Sequence, residues 1–386
     1  MPRALPVLLA ALVGVAACRA PRPPAPESTG PGVDAATWLR PRDRRATPGP
    51  DVLAQAARAR IVLLGEHHDR MAHHRWQAQV IAGLLARRRH VVVGFEMFPR
   101  RAQPVLDRWI AGGLDAPRFL ADVDWDRVWG FPARLYLPLF ELARANRLPM
   151  VALNVERALV GRVAREGWEA IPDAEREGLG TPAPAAPAYA ATLAETFGAH
   201  GHAADPDPAA ARRFVEAQLT WDRALAEALA AAAAAYPDAV VVGVMGSGHL
   251  ERGFGVPHQL AALGERDVVV LIPWDVERDC GRLAPDVADW VFGIAPSAEP
   301  APPRLGIELA PGDGGVRVVR VEAGSVAAAA GLRPGDVIVA AAGAVTPQPS
   351  ALRTIVEGLA PGTWLPLDVR RGGRTQTLVA RFGPAS

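Results

Sequence analysis

Residues 61–77 read IVLLGEHHDRMAHHRWQ. Four apolar residues, Ile61–Leu64, run into a glycine, and a burst of polar groups follows at once: Glu66, His67, His68 and Asp69, then His73, His74 and Gln77. A short run that is apolar at every position fits a strand buried on both faces, as in a parallel sheet covered by helices. Beyond it, Val80, Ile81, Leu84 and Leu85 fall on one face at helical spacing, which predicts a helix over Arg75–Ala86. Runs of the same strand type recur at Val91–Phe95, Met150–Leu153, Val240–Val244 and Val268–Ile272, with helical stretches between them. The longest helical stretch, Ala209–Ala235, follows Asp207 as a candidate N-cap with Pro208 in the first turn. Strands alternating with helices predict an α/β domain, a mostly parallel sheet flanked by helices, over residues 51–294.

In such sheets ligands bind beyond the carboxyl ends of the strands. The first run delivers Glu66, His67, His68 and Asp69 there, the second Glu96, the third Asn154 and Glu156, and the fourth Gly246, Ser247, Gly248 and His249. Glu251, two residues after His249, is a candidate to orient its ring. A lone histidine at a strand end usually serves as a hydrogen-bonded core residue. Four strand ends that bring carboxylates, imidazoles and an amide to one edge favour a functional site. Such an edge suits a metal ion, a cofactor or acid–base chemistry; one form of it is a divalent metal ion held by Glu66, His68, Glu96 and His249, with Glu66 or Glu96 as the catalytic base of a hydrolase.

The run Gly65–Gln77 resembles the signature of the ChaN family of haem-binding uptake lipoproteins, in which a strand ends in Gly-Glu-x-His-Asp followed by His-His and Gln. GFEMF at Gly94–Phe98 with Gln103, ALN at Ala152–Asn154, WDRALA at Trp221–Ala226 and GSGHLERGFGVP at Gly246–Pro257 match in order. The resemblance implies haem or iron binding, at the surface or in a homodimer interface. It carries over to Glu66, His68, Asp69, His73, His74, Glu96 and His249, with His67 at the variable position. The wider superfamily, which takes in Tiki, TraB and erythromycin esterase proteins, implies the hydrolase alternative. With no CxxCH motif any haem is non-covalent. Tyr136, Tyr189, His200 and His202 are further candidate axial ligands. The aromatic stretch Trp125–Phe140 reads as core, with a wall for haem as its alternative.

The chain has 386 residues, enough for two domains, and 42 basic against 41 acidic side chains, which gives nucleic acid no electrostatic footprint. At the N-terminus the apolar run Leu5–Ala17 is too short to span a bilayer and fits a secretory core. Ending at Cys18, it resembles a bacterial lipoprotein signal over residues 1–18, with Val15 where the pattern prefers Leu. That implies acylation of Cys18 and a place on the outer membrane, facing the periplasm. Residues 19–50 read as a flexible tether, and Ile171–Pro208 as an irregular insert or lid. Cys280 reads as an inert thiol.

After the Pro-rich linker at residues 295–303, a second, β-rich domain is expected over residues 304–382. Its run GSVAAAAGLRPGDVIVAAAG, Gly324–Gly343, resembles PDZ domains of periplasmic proteases. The resemblance implies a carboxylate-binding loop at Leu305, Gly306 and Ile307, a groove helix at Ser350–Gly358 and a C-terminal peptide or envelope protein as partner. The linker suggests that the two domains act independently.

Overall fold

The computed structural model describes residues 32–88, 90–197, 208–277, 283–296, 303–360 and 362–383. Cys18 and the signal segment, Asp207, His200, His202 and Cys280 lie outside the described residues.

The first sheet has eight strands: β1 (Trp38–Arg40), β2 (Arg45–Thr47), β3 (Ile61–Leu64), β4 (Val91–Pro99), β5 (Met150–Asn154), β6 (Val240–Val244), β7 (Val268–Asp275) and β8 (Trp290–Ile294). Their order is β2-β1-β8-β7-β3-β6-β4-β5. The six strands from β8 to β5 are parallel, and only β1 and β2 run against their neighbours. Alternate residues of the central strands enter two cores on opposite faces. Val62, Leu64, Val240, Val242 and Val244 join one, while Ile61, Leu63, Val92 and Val241 join the other. This two-sided burial is why the strands are apolar at every position, and each such side chain contributes roughly 1.5–3 kcal/mol on leaving water.

Two sequence expectations change here. Residues 38–47 form β1 and β2 on the sheet edge, so this part of the 19–50 tether belongs to the domain. The insert is ordered over residues 171–197. Ala183 exchanges two hydrogen bonds with the Gln259 side chain, and the helix Pro187–Phe197 packs Tyr189 and Leu193 against Leu219.

The second sheet comprises β9 (Ile307–Gly312), β10 (Gly315–Val321), β11 (Val337–Ala341), β12 (Ala344–Val345), β13 (Trp364–Arg371) and β14 (Arg374–Arg381), all antiparallel. Its order is β14-β13-β11-β10-β9, with β12 on β11, so β9 is an edge strand. Gly335 turns into β11 at φ +90°, and buried Asp336 clamps the turn by accepting from Arg333 N and from the Arg371 guanidinium. The helix Pro349–Glu357 lies where a groove helix was expected.

The two domains are in contact. Gln348 Nε2 donates to Leu120 O at 2.8 Å, Ser350 N donates to Asp126 Oδ2 at 2.9 Å, and Arg134 Nε pairs with Glu357 Oε2 at 3.1 Å. The linker therefore does not hold the two domains apart.

Candidate functional site

The central strands β3, β6 and β4 are neighbours, and their polar residues meet at one edge. Glu66, just past β3, is buried and collects three groups. His68 Nδ1 stands 2.7 Å from its Oε1, His74 Nδ1 stands 2.9 Å from its Oε2, and the Tyr136 hydroxyl donates to Oε1 at 2.7 Å. Burial alone would raise this carboxyl, but the hydrogen bonds from His68 and His74 hold it well below the usual carboxylate range. The His68 ring, lowered by burial but raised further by the Glu66 hydrogen bond and the Glu96 charge, ends above the ordinary histidine value. Its side chain is 29% exposed, and its Nε2 has no hydrogen-bond partner among the described residues. Trp129 meets the ring edge-on at 4.7 Å between centroids, and Phe131 lies at 5.1 Å.

The second half of the site stands on β6 and β4. His249 Nδ1 is 2.6 Å from Asp222 Oδ1, and its Nε2 is 3.4 Å from Glu96 Oε1. Glu96 also accepts from Gly246 N at 2.7 Å. Burial depresses the His249 imidazole, yet the Glu96 charge and the Asp222 hydrogen bond outweigh it and push its pKa up to about 10. Burial would likewise raise Glu96, and the His249 charge keeps it low. Tyr189 donates to the other oxygen of Asp222 at 2.9 Å. Glycine at 246 leaves room for the His68 ring, because a Cβ there would lie 3.0 Å from His68 Cε1 and 3.3 Å from Nε2 and the ring would have to shift.

Several expected ligands prove to be supports. The His73 and His74 rings are fully buried with both nitrogens engaged. His73 accepts from His67 N at 2.9 Å and faces Asp275 at 3.1 Å, and burial lowers its pKa to about 4, so it is neutral. His74 faces Glu66 and Gln77 through Nδ1 and the His68 carbonyl through Nε2. Neither can bind a cofactor directly, which corrects that expectation. Tyr136 and Tyr189 are likewise buried and donate to Glu66 and Asp222. Asp69 does not reach the cluster; it is exposed and lines a separate cleft with His67, Arg70, Met71 and Asp275. Asn154 braces the edge by donating to Glu96 O, and Glu156 pairs with Arg101 at the surface.

The expected metal set Glu66, His68, Glu96 and His249 stands as two pairs, His68 on Glu66 and His249 beside Glu96. Among the described residues no group of three or more His, Cys, Asp or Glu is arranged to hold a metal ion. Glu66 Oε1 and Glu96 Oε2 hold hydrogen bonds, while Glu66 Oε2 and Glu96 Oε1 meet only the His74 and His249 rings as ion-pair contacts. Asp222, which orients His249 in place of Glu251, was missed as a site residue although it lies inside the quoted run WDRALA.

Beside the cluster a cleft of about 100 Å³ is lined by Met97, Trp129, Val155 and Trp221, with Arg127 and Arg157 among its outer residues. The Trp221 ring lies tilted against that of His249 at 5.5 Å between centroids. In the second domain Gly306 takes φ +74°, and a Cβ there would lie 2.4 Å from Ser325 Cβ, so the loop between Leu305 and Ile307 requires glycine.

Comparison with known proteins bears on both domains. Residues 52–260 match the family model described as haem-binding uptake, Tiki superfamily, ChaN, and residues 303–380 match the PDZ domain model. No curated protein matches. Among solved structures, one described as cofacial heme binding to ChaN of Campylobacter jejuni aligns with a TM-score of 0.53 at 19% identity, covering 66% of this chain and 95% of that one, and so shares the fold. An HtrA-type protease, AlgW, with a decapeptide aligns at 25% identity and a TM-score of 0.21 over 22% of this chain and 30% of its own. A serine endoprotease from Yersinia pestis aligns at 22% identity and a TM-score of 0.20 over 22% of this chain and 30% of its own.

Proposed function

Because the chain belongs to the ChaN family of haem-binding uptake proteins in the Tiki superfamily, we propose that it binds haem on the carboxyl edge of the parallel sheet with His68 as the iron ligand. In the same reading it is a lipid-anchored envelope protein that docks a C-terminal peptide through its PDZ domain. The observation that carries the haem assignment is the His68 ring. Glu66 fixes one nitrogen, the other is unpaired, and part of the side chain is open to solvent. A metal-binding histidine commonly gives its second nitrogen to a carboxylate, which sets the tautomer and strengthens the ligand. Trp129 and Phe131 offer flat apolar surface beside it.

The cleft of about 100 Å³ cannot enclose a porphyrin, since drug-sized ligands fill pockets of roughly 300–1,000 Å³. His68, Trp129 and Phe131 would therefore hold the macrocycle at the mouth of the cleft rather than inside it, where a second copy of the chain would cover it in a homodimer. The anchor rests on the apolar run Leu5–Ala17 ending at Cys18. Cys18→Ser is expected to move the protein from the outer membrane to the soluble periplasmic fraction. The haem reading is tested by visible absorbance: wild type gives a saturable Soret shift and His68→Ala gives none, whereas equal shifts would sink it.

A second reading has its own support. The Asp222–His249–Glu96 row is a buried carboxylate–imidazole–carboxylate arrangement suited to holding and moving a proton, as in a hydrolase that needs no metal. Hydrolysis of a panel of small esters, lost in His249→Ala with the Soret shift intact, would favour it.

A further inference from the structure

The groove helix Pro349–Glu357 has no side-chain cap of its own. Its first free N–H, on Ser350, is instead capped by Asp126 of the α/β domain at 2.9 Å. A carboxylate in that position satisfies an orphan donor and opposes the positive end of the helix. Arg353 approaches the same carboxylate at 3.6 Å, and Glu357 at the far end of the helix pairs with Arg134 at 3.1 Å, so both ends are tied across the domain boundary. The tied segment is short, and it is the one that builds the site. Asp126 is three residues from Trp129, and Arg134 is two residues from Tyr136. Trp129 and Phe131 touch His68, and Tyr136 donates to Glu66.

In a PDZ domain the peptide adds a strand to the edge strand, here β9, and packs its side chains on the groove helix. The geometry points to a coupling between the two sites: a peptide with a free, apolar C-terminus in the PDZ groove changes the affinity of the His68 site through the groove helix and residues 124–136. The haem half of this inference rests on the function proposed above. By linkage, haem must change peptide affinity by the same factor.

The test uses the full chain and a set of fluorescent decapeptides ending in free Val, Leu, Phe or Ala, each paired with its amidated form. Haem is titrated with and without saturating peptide, and amide hydrogen exchange is followed over residues 124–136. The expected result is a shift in haem Kd of about fivefold or more with a free-carboxylate peptide, together with altered exchange in that segment. Asp126→Ala should abolish both effects while still binding peptide and haem. A peptide that binds but changes neither haem Kd nor exchange overturns the coupling, as does failure of every peptide to bind. If haem gives no Soret shift while peptide alters exchange in 124–136, the haem reading fails and what stands is the link from the groove helix to residues 124–136.

Discussion

His68 and His249 stand at the ends of neighbouring strands, each with a carboxylate on Nδ1, and differ in what the remaining nitrogen meets. For His249 it is the buried carboxylate of Glu96 at 3.4 Å, and the ring is 12% exposed. For His68 it is a space open to solvent, walled by Trp129 and Phe131. The same dyad is thus used in two ways. A second carboxylate stabilises the imidazolium and turns His249 into a charged buried support or proton holder. Without one on its Nε2, the oriented ring of His68 keeps a nitrogen facing solvent, as the proposed haem ligation requires. Exposure and neighbouring charge, rather than residue type, divide the roles.

The sharpest way to break this contrast is to remove the acceptor on the His68 side. Glu66→Ala leaves His68, His74 and Tyr136 without their shared partner. Loss of a partner from a buried pair costs about 3–5 kcal/mol, and loss of an outer-shell carboxylate weakens metal binding about 10–100-fold. Urea unfolding and a haem titration measure the two. Asp222→Ala is expected to lower stability while leaving haem affinity unchanged within error.

Gly246→Ala attacks the same ring from below, since the new Cβ would press on His68 Cε1 at 3.0 Å. Overpacking of this kind costs about 1–3 kcal/mol, and the displaced ring should bind haem more weakly. An unchanged haem titration would show that the position of His68 does not matter.

The His249 side is probed by pH. Its pKa is about 10 in the folded protein against an ordinary value of 6.5, so its contribution is fully present below pH 6.5 and is lost as pH rises toward 10. Stability should fall across that window, and Asp222→Asn should flatten the fall. Glu96, held below its ordinary value, works in the opposite sense: its contribution is present above pH 4.5 and is lost on acidification. The smallest effect on haem binding is expected of Tyr136→Phe, which removes one hydrogen bond to the ionised Glu66, worth about 1.5–3 kcal/mol of stability, and should leave haem affinity nearly unchanged; urea midpoints and a haem titration check it.

The parallel sheet was legible because Ile61–Leu64 and Val240–Val244 are apolar at every position, the signature of burial on both faces. The strands WLR and RAT were not, being three residues long and rich in arginine at the sheet edge. In the site, Glu66, His68, Glu96 and His249 followed from strand ends. Asp222 did not, because it lies within the long helix Pro208–Ala235 and reaches His249 only through tertiary packing. His73 and His74 were misread as ligands because sequence spacing cannot show that both ring nitrogens are spent inside the fold. The interdomain cap was hidden for a related reason: Asp126 and Ser350 are 224 positions apart.

The central claim is that the open ring of His68 binds the haem iron, and chemical rescue tests it most directly. His68→Ala is titrated with haem, first alone and then with free imidazole, and the Soret band is followed. The account predicts no shift without imidazole and recovery of the wild-type band with it. A wild-type band in His68→Ala without imidazole would contradict it.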